Sequence, residues 1–63
     1  MSLLLKEVPV NDVKLYVKMG NEAIKEGLHE ESMKWYLKGL TIAREQEDAA
    51  WEEEITNLII TLT

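Results

Sequence analysis

No cysteine occurs in the 63 residues, which excludes disulfides and thiolate metal sites and leaves the redox compartment unread. The single histidine, His29, is followed by Glu30 and Glu31 but has no second histidine at ligand spacing, so neither a zinc site nor a metalloprotease motif is present. Serine is confined to Ser2 and Ser32, neither in the histidine–acid setting that nucleophilic catalysis needs. The glycines of GNEAIKEG have no Lys-Ser/Thr after them and no strand before, so they form no phosphate loop. Basic residues are in the minority: 7 Lys and Arg stand against 12 Asp and Glu, a net charge of −5. That balance disfavours nucleic acid and anionic lipid and favours a basic or neutral protein surface. Long apolar runs are missing too. Residues 3–5, three leucines, are far too few for a membrane span or a signal peptide, and a cytoplasmic protein is expected. The acids of residues 45–48 and 52–54 are neighbours in sequence and read as a solvated face. A chain this short also has little room for a substrate pocket. No enzyme, cofactor or metal is expected.

What is present is organised around residues 19–40, MGNEAIKEGLHEESMKWYLKGL. Small residues at Gly20, Ala23, Ser32 and Gly39 face one another if the chain turns back at Gly27. That is a helical hairpin whose two backbones approach closely. Around it the chain divides into an N-terminal arm, residues 1–10, and a helical domain, residues 11–63. The arm lacks a helical period, and Pro9 biases Val8 toward an extended conformation. It reads either as a sticky segment for a partner or second copy, or as a short cover for one end of the core.

Asn11 has the chemistry of an N-cap, Asp12 suits the positive end of the helix dipole, and Val10 and Leu15 stand at hydrophobic-staple spacing. The first helix is expected over 12–26, burying Val13, Tyr16, Val17, Gly20, Ala23 and Ile24. Gly27 ends it as a left-handed C′ residue, and Leu28 and His29 turn the chain. A second helix over 30–44 carries Met33, Tyr36, Leu37, Leu40 and Ala43 on one apolar stripe. Trp35 lies off that stripe, either flat on a neighbouring element or exposed as an anchor. Residues 45–48 form a polar break, with Asp48 capping a third helix over 49–62 that carries Trp51, Ile55, Leu58, Ile59 and Leu62. One helix continuous from residue 30 is the alternative, because Ala49, Ala50 and the glutamates also favour helix. The fold class expected is all-α: an antiparallel hairpin with a third, capping helix.

The hairpin pattern resembles a tetratricopeptide repeat (TPR). Tyr16 supplies the family's early aromatic, Met19, Gly20 and Asn21 its bulky–glycine–asparagine run, and Gly27 its turn glycine. Ser32 opens the second helix, Tyr36 is the second aromatic, and Gly39 and Leu40 form the late small–leucine pair. Ala23 stands where an aromatic is usual, and Ser32 and Gly39 where alanine is usual. Ile55, Asn57, Leu58 and Ile59 resemble the start of a second repeat, with Ile59 in the glycine place. The resemblance implies about one and a half repeats, the last helix acting as a cap. A three-helix microtubule-interacting-and-trafficking domain shares the hairpin pattern, but its usual aspartate before the turn glycine is missing.

The function expected is a small helical protein–protein interaction module, binding a partner peptide or helix or associating with itself, most simply as a dimer. The alternative is an acidic mimic whose residues 45–54 block a basic or nucleic-acid-binding surface. Lys14, Lys18, Asn21 and Lys25 form a stripe at helical spacing. The resemblance implies that this stripe lines a concave groove, to which Asn57 adds the equivalent contact from the third helix. Trp35 completes the candidate partner-binding residues. The blander reading of the stripe is a solvated lysine face, with Lys18 and Glu22 paired.

Overall fold

The protein is described by a computed structural model over residues 12–63. Three helices follow in order: α1 (Val13–Lys25), α2 (His29–Glu45) and α3 (Ala49–Leu62), with no strand among the described residues. The class is all-α, as expected, and the chain breaks between α2 and α3 instead of running on as one helix. Asn11, Val10 and the expected arm lie outside the described residues. The N-cap of α1 is Asp12, whose Oδ1 accepts from the Leu15 N–H at 3.2 Å. The helix therefore starts at Val13, and the carboxylate expected inside its first turn instead ties down one of its free N–H groups. Asp48 does the same for α3, accepting from the Trp51 N–H at 3.2 Å.

The two joints between helices share one construction. After α1, the Leu28 N–H donates to Ala23 O at 2.9 Å and the Gly27 N–H to Ile24 O at 2.9 Å. After α2, the Asp48 N–H donates to Ala43 O at 2.9 Å and the Glu47 N–H to Arg44 O at 3.0 Å. Both are Schellman motifs, which require a left-handed residue at C′. Gly27 meets that at φ 78° without steric cost; Glu47 meets it at φ 55° with a Cβ against the following carbonyl. A non-glycine residue there costs about 1–2 kcal/mol, less the extra freedom glycine gives the unfolded chain. Glu47→Gly is therefore expected to stabilise the protein by about 0.5–1 kcal/mol, read as a higher midpoint in urea. A lowered midpoint would show that the Glu47 side chain contributes more than its backbone costs.

α1 and α2 pack antiparallel: Gly20 lies against Tyr36, while Gly39, further along α2, lies against Tyr16 and Val13, earlier in α1. α2 is the middle helix, packed on both others, and α1 and α3 make little contact. The core is Val13 and Val17 from α1, Tyr36, Leu40 and Ala43 from α2, and Ile55 from α3. Tyr16 and Ile24 are half-buried. Leu37 departs from the expectation, being 47% exposed. The buried stripe of α2 runs through Ser32, Tyr36, Gly39, Leu40 and Ala43, and Leu37 stands one helical step of about 100° off Tyr36, beyond its edge. All four small residues of the hairpin, Gly20, Ala23, Ser32 and Gly39, are buried.

Ser32 is fully buried, and its Oγ has no hydrogen-bond partner among the described residues. An unsatisfied buried hydroxyl costs about 1–3 kcal/mol, whereas a methyl in the same space has nothing to lose. Ser32→Ala is expected to stabilise the fold by about 1 kcal/mol, or roughly 5 °C in melting temperature. Thermal denaturation followed by circular dichroism measures it, and a lower melting temperature would mean that the hydroxyl has a bound partner such as water.

Candidate functional site

The described residues measure 41 × 28 × 12 Å. A thickness of 12 Å is one layer of helices, whereas stable domains normally bury their apolar faces between two layers. The consequence is concentrated on one side of the α1–α2 hairpin. There Leu15, Met19 and Leu28 are 37%, 36% and 48% exposed, and they surround an open groove of about 540 Å³. Ala23 and Trp35 complete its apolar lining, and Lys18, Glu22, Glu26 and Glu31 complete its polar one.

Each wall follows from helical spacing. On α1 the lining residues 15, 19 and 23 recur every four positions, with 18, 22 and 26 one step before the next. Residues 28, 31 and 35 supply the opposite wall from the turn and α2. Trp35 is held in place by Tyr16: the two rings stack with centroids 5.9 Å apart and planes 23° from parallel. Of the two roles open to Trp35 in the sequence, it does lie flat on a neighbouring element. It also stands at the groove.

The remaining sequence-derived candidates are dispersed. Lys18 alone of the α1 stripe lines the groove. Lys14 is exposed. Lys25 pairs with Glu22 at 3.6 Å, an exposed contact of little energetic weight, in place of the expected Lys18–Glu22 pair. Asn21 has a structural partner: its Oδ1 accepts from the Tyr36 hydroxyl at 2.5 Å. That bond satisfies the one polar atom of a ring that is otherwise 1% exposed. Asn57 is exposed on α3, and its carbonyl accepts from Thr61 Oγ1 at 2.9 Å. Trp35 and Lys18 are thus brought together, and Asn57 sits on a different helix.

Leu15, Met19 and Leu28 are groove residues that the sequence pattern did not single out as partner-binding. The available signal was that Leu15 and Met19 fall off the buried stripe of α1 and that Leu28 lies in the turn, outside both helices. No group of three or more His, Cys, Asp or Glu among the described residues is placed to hold a metal ion. No helix among them is long and apolar enough to cross a membrane. His29 is exposed at the start of α2. The acids Glu45, Glu47, Glu53 and Glu54 are exposed at the α2–α3 joint and early α3, whereas Glu52 and Asp48 are half-buried. Comparison with known proteins gives no matching family model, no matching curated sequence and no matching solved structure.

Proposed function

We propose that this chain is a TPR-like helical interaction module, non-catalytic and cytoplasmic, that receives a partner protein in the groove between α1 and α2. The observation that carries the proposal is that groove: Leu15, Met19 and Leu28 are exposed around an open concavity in the single layer that the described residues form. Clustered apolar exposure with a polar rim marks an interaction surface. The TPR-like part is supported by the buried small residues along the hairpin and by Tyr36 packed on Gly20. Photo-crosslinking tests the site. A benzophenone side chain at position 19 is expected to capture a partner from the source cell, and the same group at Thr41, exposed on α2 outside the groove, is not. Equal capture from both positions, or from neither, would remove the groove as the site.

A second surface supports self-association. Residues 55–63 carry no charged side chain, and along them Ile60 is 63% exposed while Leu58, Ile59 and Leu62 are half-buried. Two copies of a chain with net charge −5 repel one another, so an uncharged apolar helix end is the least costly place for them to meet. Ile60→Glu is expected to convert a dimer to a monomer in light scattering. A wild-type protein that is monomeric at high concentration would end this second reading. The acidic-mimic alternative uses the exposed acids near the α2–α3 joint, and it requires binding that weakens steeply with salt.

A further inference from the structure

Resting on the groove as the binding site, we propose that its occupant is an amphipathic helix of about three turns whose apolar stripe is flanked by lysine or arginine. Three observations lead there. The first is backbone bookkeeping. The groove is walled by helices whose central N–H and C=O groups are already bonded within α1 and α2. An extended peptide laid there would find no backbone partners for its own N–H and C=O groups. A helix satisfies the backbone groups of its middle within itself, leaving only its ends to water, and needs only an apolar face.

The second observation is length. The lining supplied by α1 and its C-cap extends from Leu15 to Glu26, which at 1.5 Å per residue is roughly 16 Å, or three turns of a helix laid alongside.

The third is charge. The polar lining consists of Glu22, Glu26 and Glu31 against the single cation Lys18. Glu22 is shared with Lys25, but Glu26 and Glu31 have no ion pair among the described residues. Two carboxylates beside an apolar floor select a partner with cations at the edges of its apolar face, and they repel an acidic helix of the same shape. They also disfavour a second copy of this chain, in which acids outnumber bases 12 to 7.

The test uses the full chain and two fluorescein-labelled synthetic helices of about four turns. One is built of leucine and lysine with leucine at helical spacing, the other has the same leucines with glutamate for lysine. Binding is followed by fluorescence anisotropy at low and high salt. The leucine–lysine helix is expected to bind and the leucine–glutamate helix not to. Met19→Glu is expected to weaken binding at least tenfold. Glu26→Lys with Glu31→Lys is expected to weaken it roughly tenfold, while Glu53→Lys with Glu54→Lys, the same change in net charge on exposed α3 positions, leaves it within about twofold. Circular dichroism of each variant verifies that it is folded.

Equal binding of the two peptides, abolished by Met19→Glu, would keep the groove as the site and overturn the basic partner. Equal weakening by the two lysine pairs would overturn it as well, because net charge and not the rim would then be responsible. Binding of neither peptide would overturn the basic helical partner, and capture at position 19 would then decide separately whether the groove is the site. Wild-type dimers that Met19→Glu dissolves would make a second copy the occupant. Binding that appears only after Leu3, Leu4 and Leu5 are changed to serine would make the occupant the chain's own N-terminal segment. Either result overturns the proposal.

Discussion

Gly20→Leu is expected to unfold the protein at room temperature or to lower its melting temperature by more than about 10 °C. A Cβ at position 20 would stand 2.5 Å from Cδ1 of Tyr36, nearer still to Cε1, and 3.1 Å from Cζ. The ring cannot swing aside cheaply. It is 1% exposed, and its hydroxyl is tied to Asn21 on the same helix as Gly20. The two helices must therefore separate, which undoes the closest part of the hairpin. Overpacking of this kind costs about 1–3 kcal/mol for the extra carbons, and further cost arises if the Tyr36 hydroxyl loses its partner in the interior. At roughly 0.05–0.15 kcal/mol per residue, a domain of this size holds only about 3–9 kcal/mol. Gly20→Ala sharpens the test. Helix propensity alone would have alanine stabilise by about 1 kcal/mol, so a loss of stability isolates the clash. A Gly20→Ala variant that melts higher than the wild type would show that the helices are not this close.

Ile55→Ala is expected to cost about 2–5 kcal/mol, the range for truncating a buried isoleucine, and to release α3 before the hairpin melts. Ile55 is the one buried residue of α3 and is 0% exposed. Its Cδ1 reaches Gly39 on α2, where a Cβ would also meet Tyr16 of α1 at 3.3 Å. This is the point at which the three helices converge. Trp51, Leu58, Ile59 and Leu62 pack around it only partly buried, so none of them replaces its anchoring. Amide hydrogen exchange measures the result. Protection is expected to fall throughout α3 while α1 and the first part of α2 keep most of theirs. A uniform loss across all three helices would show that the hairpin cannot stand without α3.

The elements of this fold were legible because each has a strong local cause. Gly27 marks the first joint, Asp48 caps α3, and the spacing of Val13, Val17 and Gly20 or of Tyr36, Leu40 and Ala43 fixes the buried faces. The turn at Glu47 was legible only as a polar break. Nothing in a glutamate's chemistry announces a left-handed backbone, and the demand for one comes from the Schellman bonds around it. Leu37 was misplaced because a periodic pattern has soft edges, and only the neighbouring helix decides where burial stops. The candidate site was legible in Trp35 and Lys18 and obscure elsewhere. Asn21 is polar, near a glycine and on a plausible face, but the Tyr36 hydroxyl already engages it. Leu15, Met19 and Leu28 are apolar in the sequence, and their exposure follows from the single layer that the described residues form, which no single stretch of sequence encodes.

The short joints have a kinetic consequence. Each helix meets its sequence neighbour across a three-residue connection, and the extensive packing is between adjacent helices only. Contacts therefore close small loops, and the entropic barrier to forming them is low. Chains of such low contact order fold in microseconds to milliseconds. The α1–α2 hairpin, turning at an unstrained Gly27, is placed to form first. α3 adds afterwards through the strained joint at Glu47, so Glu47→Gly should slow unfolding of α3 or speed its docking without altering hairpin formation. Temperature-jump relaxation, with Trp35 reporting on the hairpin and Trp51 on α3 in single-tryptophan variants, separates the two steps. Simultaneous relaxation at both positions would make the three helices one cooperative unit, assembled in a single crossing of the barrier.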